Sequence, residues 1–108
     1  MTIMQGDSYP IYMELKVDGK CLIPDMISEM EVCIGESILK YYSKGEVVFE
    51  EGTNQWYIHP TQKETLSLAP GVYKATARPR WKNSEKELVI GARVGEIHVL
   101  ENSSKAVI

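Results

Sequence analysis

From Tyr9 the chain alternates between apolar and polar positions. Tyr9, Ile11, Met13, Leu15 and Val17 share one parity, and Pro10, Tyr12, Glu14, Lys16 and Asp18 share the other. A period of two is the mark of a half-buried strand. Pro10 cannot donate to a ladder, so this strand begins there or runs along an edge. Asp18-Gly19 predicts a tight hairpin turn, with a short strand from Lys20 to Ile23 behind it. A second main strand is predicted from Ser28 to Ile34, where Met30, Val32 and Ile34 alternate with Glu29, Glu31 and Cys33. Turns at Gly35-Glu36-Ser37 and Ser43-Lys44-Gly45 bracket a short strand, Ile38 to Tyr42. Glu46 to Glu50 and Gln55 to His59 then form a hairpin, with Val47, Phe49, Trp56 and Ile58 turned inward.

Pro60 ends that strand, and Thr61 to Leu68 is the sole helical stretch. Thr61 followed three residues later by Glu64 is a capping-box pattern, and the shortness of the stretch predicts one or two turns. Pro70-Gly71 is a strong turn signal that feeds a long strand. Along that strand Tyr73, Ala75, Ala77 and Trp81 face one way, and Lys74, Thr76, Arg78, Arg80 and Lys82 face the other. A polar loop, Asn83 to Glu87, leads to a last strand from Leu88 to Leu100. Its inward parity switches at Gly95, between Ile90, Ala92, Val94 and Ile97, Val99, which predicts a bulge there.

About seven short strands, frequent turn signals and one helical turn predict an all-β fold, an antiparallel sandwich of immunoglobulin-like type. The corner before Tyr73 resembles the one that precedes strand F in such domains. There a tyrosine hydroxyl bonds back to the upstream backbone, so Tyr73 is expected to be largely buried with its OH bonded. The chain has 108 residues, enough for one core and one domain, taken as 1–100 with a tail at 101–108.

Charge and motifs narrow the chemistry. The net charge is −3, against the basic excess of general nucleic-acid binders. No apolar run reaches the roughly 18 residues of a membrane helix, and Met1 to Gly6 has no signal-peptide pattern. Cys21 and Cys33 fit no zinc spacing and read as small apolar residues of a reducing compartment; a disulfide requires that they face each other on paired strands. His59 and His98 have no Asp or Cys at ligand spacing and read as surface histidines. No nucleophile, metal or phosphate motif is present, so the chain reads as a non-enzyme with no cofactor.

Two surfaces stand out. Lys74, Arg78, Arg80 and Lys82 form a row of charges about 7 Å apart, either a docking stripe for an acidic partner surface or a phosphate backbone, or a solvated face balanced by Glu96 or Glu101 across the final hairpin. Six tyrosines, among them Tyr12, Tyr41, Tyr42 and Tyr57, suit either protein contact or strand propensity alone. A ligand- or carbohydrate-binding sandwich is the alternative. It needs aromatic and carboxylate groups to converge in a hollow, with Trp56, Tyr57 and Glu50 as candidates.

Gly6-Asp7-Ser8-Tyr9-Pro10-Ile11, Asp18-Gly19, Ile27 to Val32, Thr61 to Thr65, Leu68 to Tyr73, and Gly95-Glu96-Ile97-His98-Val99 together carry a resemblance. The chain resembles the immunoglobulin-like N-terminal domain of phage baseplate upper proteins, and small prophage proteins of Gram-positive gut bacteria. The likeness spans Gln5 to Leu100. It departs in ending near the domain's end, without a long C-terminal region for a receptor-binding module. The resemblance implies a structural or assembly component of a tail or baseplate, working by protein–protein contact with other phage proteins or copies of itself. It implies residence in the bacterial cytoplasm during assembly and then in the virion. Tyr12, Arg78, Arg80 and Arg93 are the residues expected at such contacts.

Overall fold

The structure, a computed structural model, describes residues 1–82 and 92–108, with the main chain alone at 92–94. Strands make up 49% and helical segments 11%, so the all-β expectation holds. Ten strands are described: β1 (Thr2–Met4), β2 (Ile11–Met13), β3 (Lys16–Val17), β4 (Lys20–Cys21), β5 (Ile27–Ile34), β6 (Ile38–Tyr41), β7 (Val47–Glu50), β8 (Gln55–Ile58), β9 (Gly71–Trp81) and β10 (Ala92–Leu100). They form a five-stranded sheet in the order β1-β10-β9-β5-β6, a three-stranded sheet β2-β8-β7, and the small ribbon β3-β4. The larger sheet curls into a half-barrel.

The core forms where alternating apolar residues of both sheets meet. Met30, Val32, Ile34, Ala75, Ala77, Ile97 and Val99 come from the large sheet, and Ile11, Met13, Val47, Trp56 and Ile58 from the small one. All are buried, as the alternation predicts. Tyr9 is exposed and Val17 only partly buried, because the first predicted strand breaks after Met13 and restarts at Lys16.

Turn chemistry follows the residues closely. Asp18 and Gly19 both take positive φ, 50° and 78°, which joins β3 to β4 as a two-residue hairpin of the kind that Asp-Gly favours. The helix α1 (Gln62–Leu66) starts with a full capping box: the Thr61 hydroxyl accepts from the Glu64 N–H, and the Glu64 carboxylate accepts from the Thr61 N–H. Between β9 and β10 the register shifts at Arg93/Gly95, the bulge expected from the change of parity. The loop Asn83–Glu87 and the beginning of the last predicted strand, Leu88 to Gly91, lie outside the described residues.

Two expectations need correction. The sheets are not purely antiparallel, since β1 runs parallel to β10, pairing Thr2 with His98 and Met4 with Leu100. Tyr73 is half-buried, because β9 begins beyond the edge of the core, where Gly71 and Val72 are exposed. Its hydroxyl does bond upstream, donating to the Ala69 carbonyl at 2.6 Å. The tail 101–108 lies back against the domain. Asn102 donates to Gln5 twice, from its N–H to the side-chain Oε1 and from its Nδ2 to the carbonyl; Lys105 donates to the Gln5 side chain, and the Ile108 N–H donates to Gln62. Gln5 is itself buried and donates to the Leu68 carbonyl at 2.7 Å, so the tail is tied to the corner ahead of β9.

Lys40 is the least expected core-facing residue. It sits between Leu39 and Tyr41 on β6, yet its side chain points inward and is 10% exposed. Its ammonium reaches Glu64 at 2.8 Å and Glu46 at 4.0 Å. The pair ties the edge of the large sheet to α1. Burial pushes the Glu64 carboxyl up, but the bonds from Lys40 and Thr61 outweigh burial and hold it below its usual value.

Candidate contact surfaces and a cavity

A sheet edge invites a partner strand where its N–H and C=O groups stand unmatched. Both edges of the large sheet are guarded. On β1, the Met4 N–H donates to Asp7 Oδ2 at 2.8 Å, and the Tyr9 hydroxyl donates to the Thr2 carbonyl at 3.4 Å. On β6, the Tyr41 N–H donates to Glu46 Oε1 and the Tyr41 carbonyl accepts from the Glu46 N–H. The inward charge of Lys40 on β6 is a further guard of the kind that natural edges use. Among the described residues no such side-chain bond covers β2 or β7, the edges of the small sheet.

The outer face of that small sheet carries a compact polar-aromatic group. Tyr12 of β2 is 47% exposed, and its ring lies 5.3 Å from that of Tyr57 on β8, its cross-strand neighbour. The Tyr12 hydroxyl donates to Glu50 Oε2 on β7 at 2.8 Å, so each of the three strands contributes one residue. That hydrogen bond, then burial and the Glu50 charge, push the Tyr12 phenol above its usual pKa, and the hydroxyl stays a donor.

Trp56 is not part of this group. It alternates with Tyr57 on β8 and is fully buried, its Nε1 donating to the Leu22 carbonyl at 2.8 Å and its ring flanked by Tyr42 and Phe49. Trp56, Tyr57 and Glu50 therefore do not converge. Tyr57 and Glu50 lie outside, and Trp56 is a core residue with its polar atom satisfied.

The basic row lies on the outer face of the other sheet. Arg78 is exposed, with Nε 3.5 Å from Glu31 Oε1, and Arg80 donates to Ser28 Oγ at 3.0 Å. The register sets Glu31 opposite Arg78, Glu29 opposite Arg80 and Glu96 opposite Lys74. Carboxylates thus interleave with the row from both neighbouring strands. The expected balance by Glu96 is in register, while Glu29 and Glu31 come from β5, which sequence adjacency did not point to. Arg93 pairs with Thr76 through its main chain, and its side chain lies outside the described residues. Tyr12 lies on the outer face of one sheet and Arg78 and Arg80 on that of the other, so these three expected contact residues do not make one surface.

Two other groups carry less chemistry than their residue types suggest. Ser8 Oγ lies 3.2 Å from His59 Nε2 and donates to the Pro60 carbonyl at 3.0 Å. When its one proton goes to the Pro60 carbonyl, Ser8 meets His59 as an acceptor and His59 Nε2 is the donor. Cys21 and Cys33 are both free and partly buried. Burial pushes the Cys33 thiol up, away from the reactive thiolate, and it sits 2.9 Å from the Gly35 carbonyl.

Between the sheets, beside β2 and the start of β1, lies a cavity of about 160 Å³. It is lined by residues of both sheets, among them Ile11, Val32, Ile34, Ile58, Ala75 and Ile97, together with Met1, Tyr12 and Glu96, and the surface it presents is nearly as polar as it is apolar. Nothing in the alternation of residues signals it, because a void depends on how two sheets fit together. Compared with protein-family models, with curated proteins and with solved structures, the chain matches none of them.

Proposed function

We propose that this chain is an immunoglobulin-like β-sandwich that serves as a structural or assembly module of a phage or prophage particle, of tail or baseplate kind. Strand order supports the fold. Lettered in chain order, β2, β5, β6, β7, β8, β9 and β10 take the places of B, C, C′, D, E, F and G. The sheets then read G-F-C-C′ and B-E-D, the arrangement of such domains. The Tyr73 bond to Ala69 at the start of F, just after the helical turn between E and F, supports the same reading. The resemblance to baseplate upper proteins and small prophage proteins supports the role. In that role the protein acts through contact with other tail proteins or copies of itself, in the bacterial cytoplasm during assembly and then in the virion, without catalysis.

The observation that carries the contact reading is the small sheet. Its edges are the ones without side-chain guards among the described residues, and its outer face presents Tyr12, Tyr57 and Glu50 together. Aromatic residues with a polar tip are enriched at protein interfaces because one surface serves both burial and hydrogen bonding. The test mixes the purified chain with the tail and baseplate proteins of the same phage and reads complexes by native mass spectrometry. Complexes are expected with the wild type and lost with Tyr12→Lys. A chain that stays monomeric at high concentration and forms none of these complexes overturns the proposal.

A further inference from the structure

Sandwiches of immunoglobulin-like type carry a further strand, A, beside B, which completes the smaller sheet as A-B-E-D. Among the described residues no strand takes that place. The first strand, β1, pairs instead with β10 of the other sheet, so β2 ends the small sheet. Its main chain bonds to β8 on one side. Among the described residues nothing bonds the N–H and C=O groups of Ile11, Tyr12 or Met13 that point the other way. The cavity opens along this same edge. Ile11, Tyr12 and Met13 line it together with Met1 and with Gly95 and Glu96 of β10, so it reaches from the bare edge to the opposite sheet. Gly95 leaves room there, since a Cβ on it would meet no atom within 4 Å. A mixed polar and apolar surface is what a peptide strand matches: its main chain takes hydrogen bonds and its inward side chain takes burial.

We propose that the open edge of β2 is a strand-acceptor site for an extended segment of a partner protein, with one large aliphatic side chain of that segment turned into the cavity. The segment runs antiparallel to β2, the pairing with the stronger ladder. The ladder of β2 with β8 covers only Ile11 to Met13, so main-chain bonds alone would hold a donor weakly, and the cavity supplies the anchor. Its volume of about 160 Å³ accommodates one such side chain, as a cavity of about 150 Å³ takes a benzene ring. The donor's outward residues fall beside Tyr12, at the rim of the contact face. The inference therefore rests on the contact reading of the small sheet and adds how the partner docks there.

The test titrates the full chain, isotope-labelled, with the capped peptide Lys-Thr-Val-Thr-Ile-Thr-Val-Lys, followed by NMR. One analogue is N-methylated on its Thr residues, a second on its Val and Ile residues, and a third has Ala for the central Ile. The parent peptide is expected to give saturable shifts at the Ile11, Tyr12 and Met13 amides, with direct cross-relaxation between peptide and β2 main-chain protons. One N-methylated analogue is expected to lose roughly tenfold in affinity and the other to retain it, because only one edge of the donor faces β2. The Ala analogue is expected to bind roughly tenfold more weakly, having lost its anchor. No saturable shift at β2, equal binding by the two N-methylated analogues, or cross-relaxation at β7 instead overturns the proposal. Mixing with the tail proteins separates this inference from the contact reading. A complex in which the β2 amides exchange with solvent as fast as in the free chain keeps the contact face and overturns the strand site. Peptide pairing at β2 without any tail-protein complex keeps the strand site and overturns the phage role.

Discussion

The pair Lys40–Glu64 predicts an asymmetric response to mutation. Lys40 is a buried cation whose ammonium has one close carboxylate, Glu64 at 2.8 Å, and a second, Glu46, at 4.0 Å. Removing one member of a fully buried pair costs about 3–5 kcal/mol, because the other charge is left stranded. The Glu64 side chain is 28% exposed and Glu46 remains nearby, so the stranding cost here is reduced to about 2 kcal/mol. Glu64→Ala also deletes its half of the capping box, a further loss of roughly 0.5–1 kcal/mol. The expected total is about 2.5 kcal/mol. Lys40→Met keeps the apolar stem and removes the ion, so it should change stability by less than about 1 kcal/mol. The double variant should then lose well under the sum, with a coupling energy of about 1.5 kcal/mol. Urea unfolding followed by the fluorescence of buried Trp56 measures all four proteins, with an unchanged m-value as the check. Glu64→Ala within about 0.5 kcal/mol of wild type, or strict additivity in the double variant, would refute the reasoning.

The remaining predictions concern backbone, latch and pH. Gly35 has φ 60°, and a Cβ there would stand 2.7 Å from Cδ1 of Tyr73, while Gly45 has φ 73° and open space around it. Gly45→Ala should therefore cost about 1 kcal/mol and Gly35→Ala at least about 2 kcal/mol in denaturant unfolding. Tyr73→Phe, which deletes the hydroxyl bonded to Ala69, should cost about 1 kcal/mol in the same assay. Glu64 and Glu29 both have carboxyls held below their usual range; for Glu29, burial is outweighed by bonds from Ser43 and Met30 and by Arg80. A lowered folded pKa adds stability that is complete above the unfolded value and lost as pH falls through the folded one. Thermal unfolding should therefore show stability declining as pH drops below about 4.3, and Glu64→Gln should flatten that decline.

Local chemistry was legible in the sequence where a few adjacent residues decide the geometry. Asp18-Gly19 marks its hairpin because those residues tolerate positive φ, Thr61 and Glu64 mark the capping box, and the parity switch marks the bulge at Gly95. What depends on strand order was not legible. β1 is three residues long with no turn signal of its own, and its parallel partner lies more than ninety positions away. Glu29 and Glu31 meet the arginines only because β5 and β9 are neighbours in the sheet. The inward turn of Lys40 breaks the apolar pattern, and only the position of α1 supplies its counter-ion. The group Tyr12–Tyr57–Glu50 was half legible: each residue was visible as outward or strand-end, but their meeting depends on β2 and β7 flanking β8.

The role proposed for this β-rich domain is that of a phage-particle component held by protein contact. The most direct measurement is quantitative mass spectrometry of tail or whole particles purified after induction of the bacterium that carries the gene. The chain is expected in those particles at a fixed ratio to the tail proteins, with Tyr12→Lys depleted from them. A chain absent from purified particles, yet abundant and monomeric in the same cells, would contradict it.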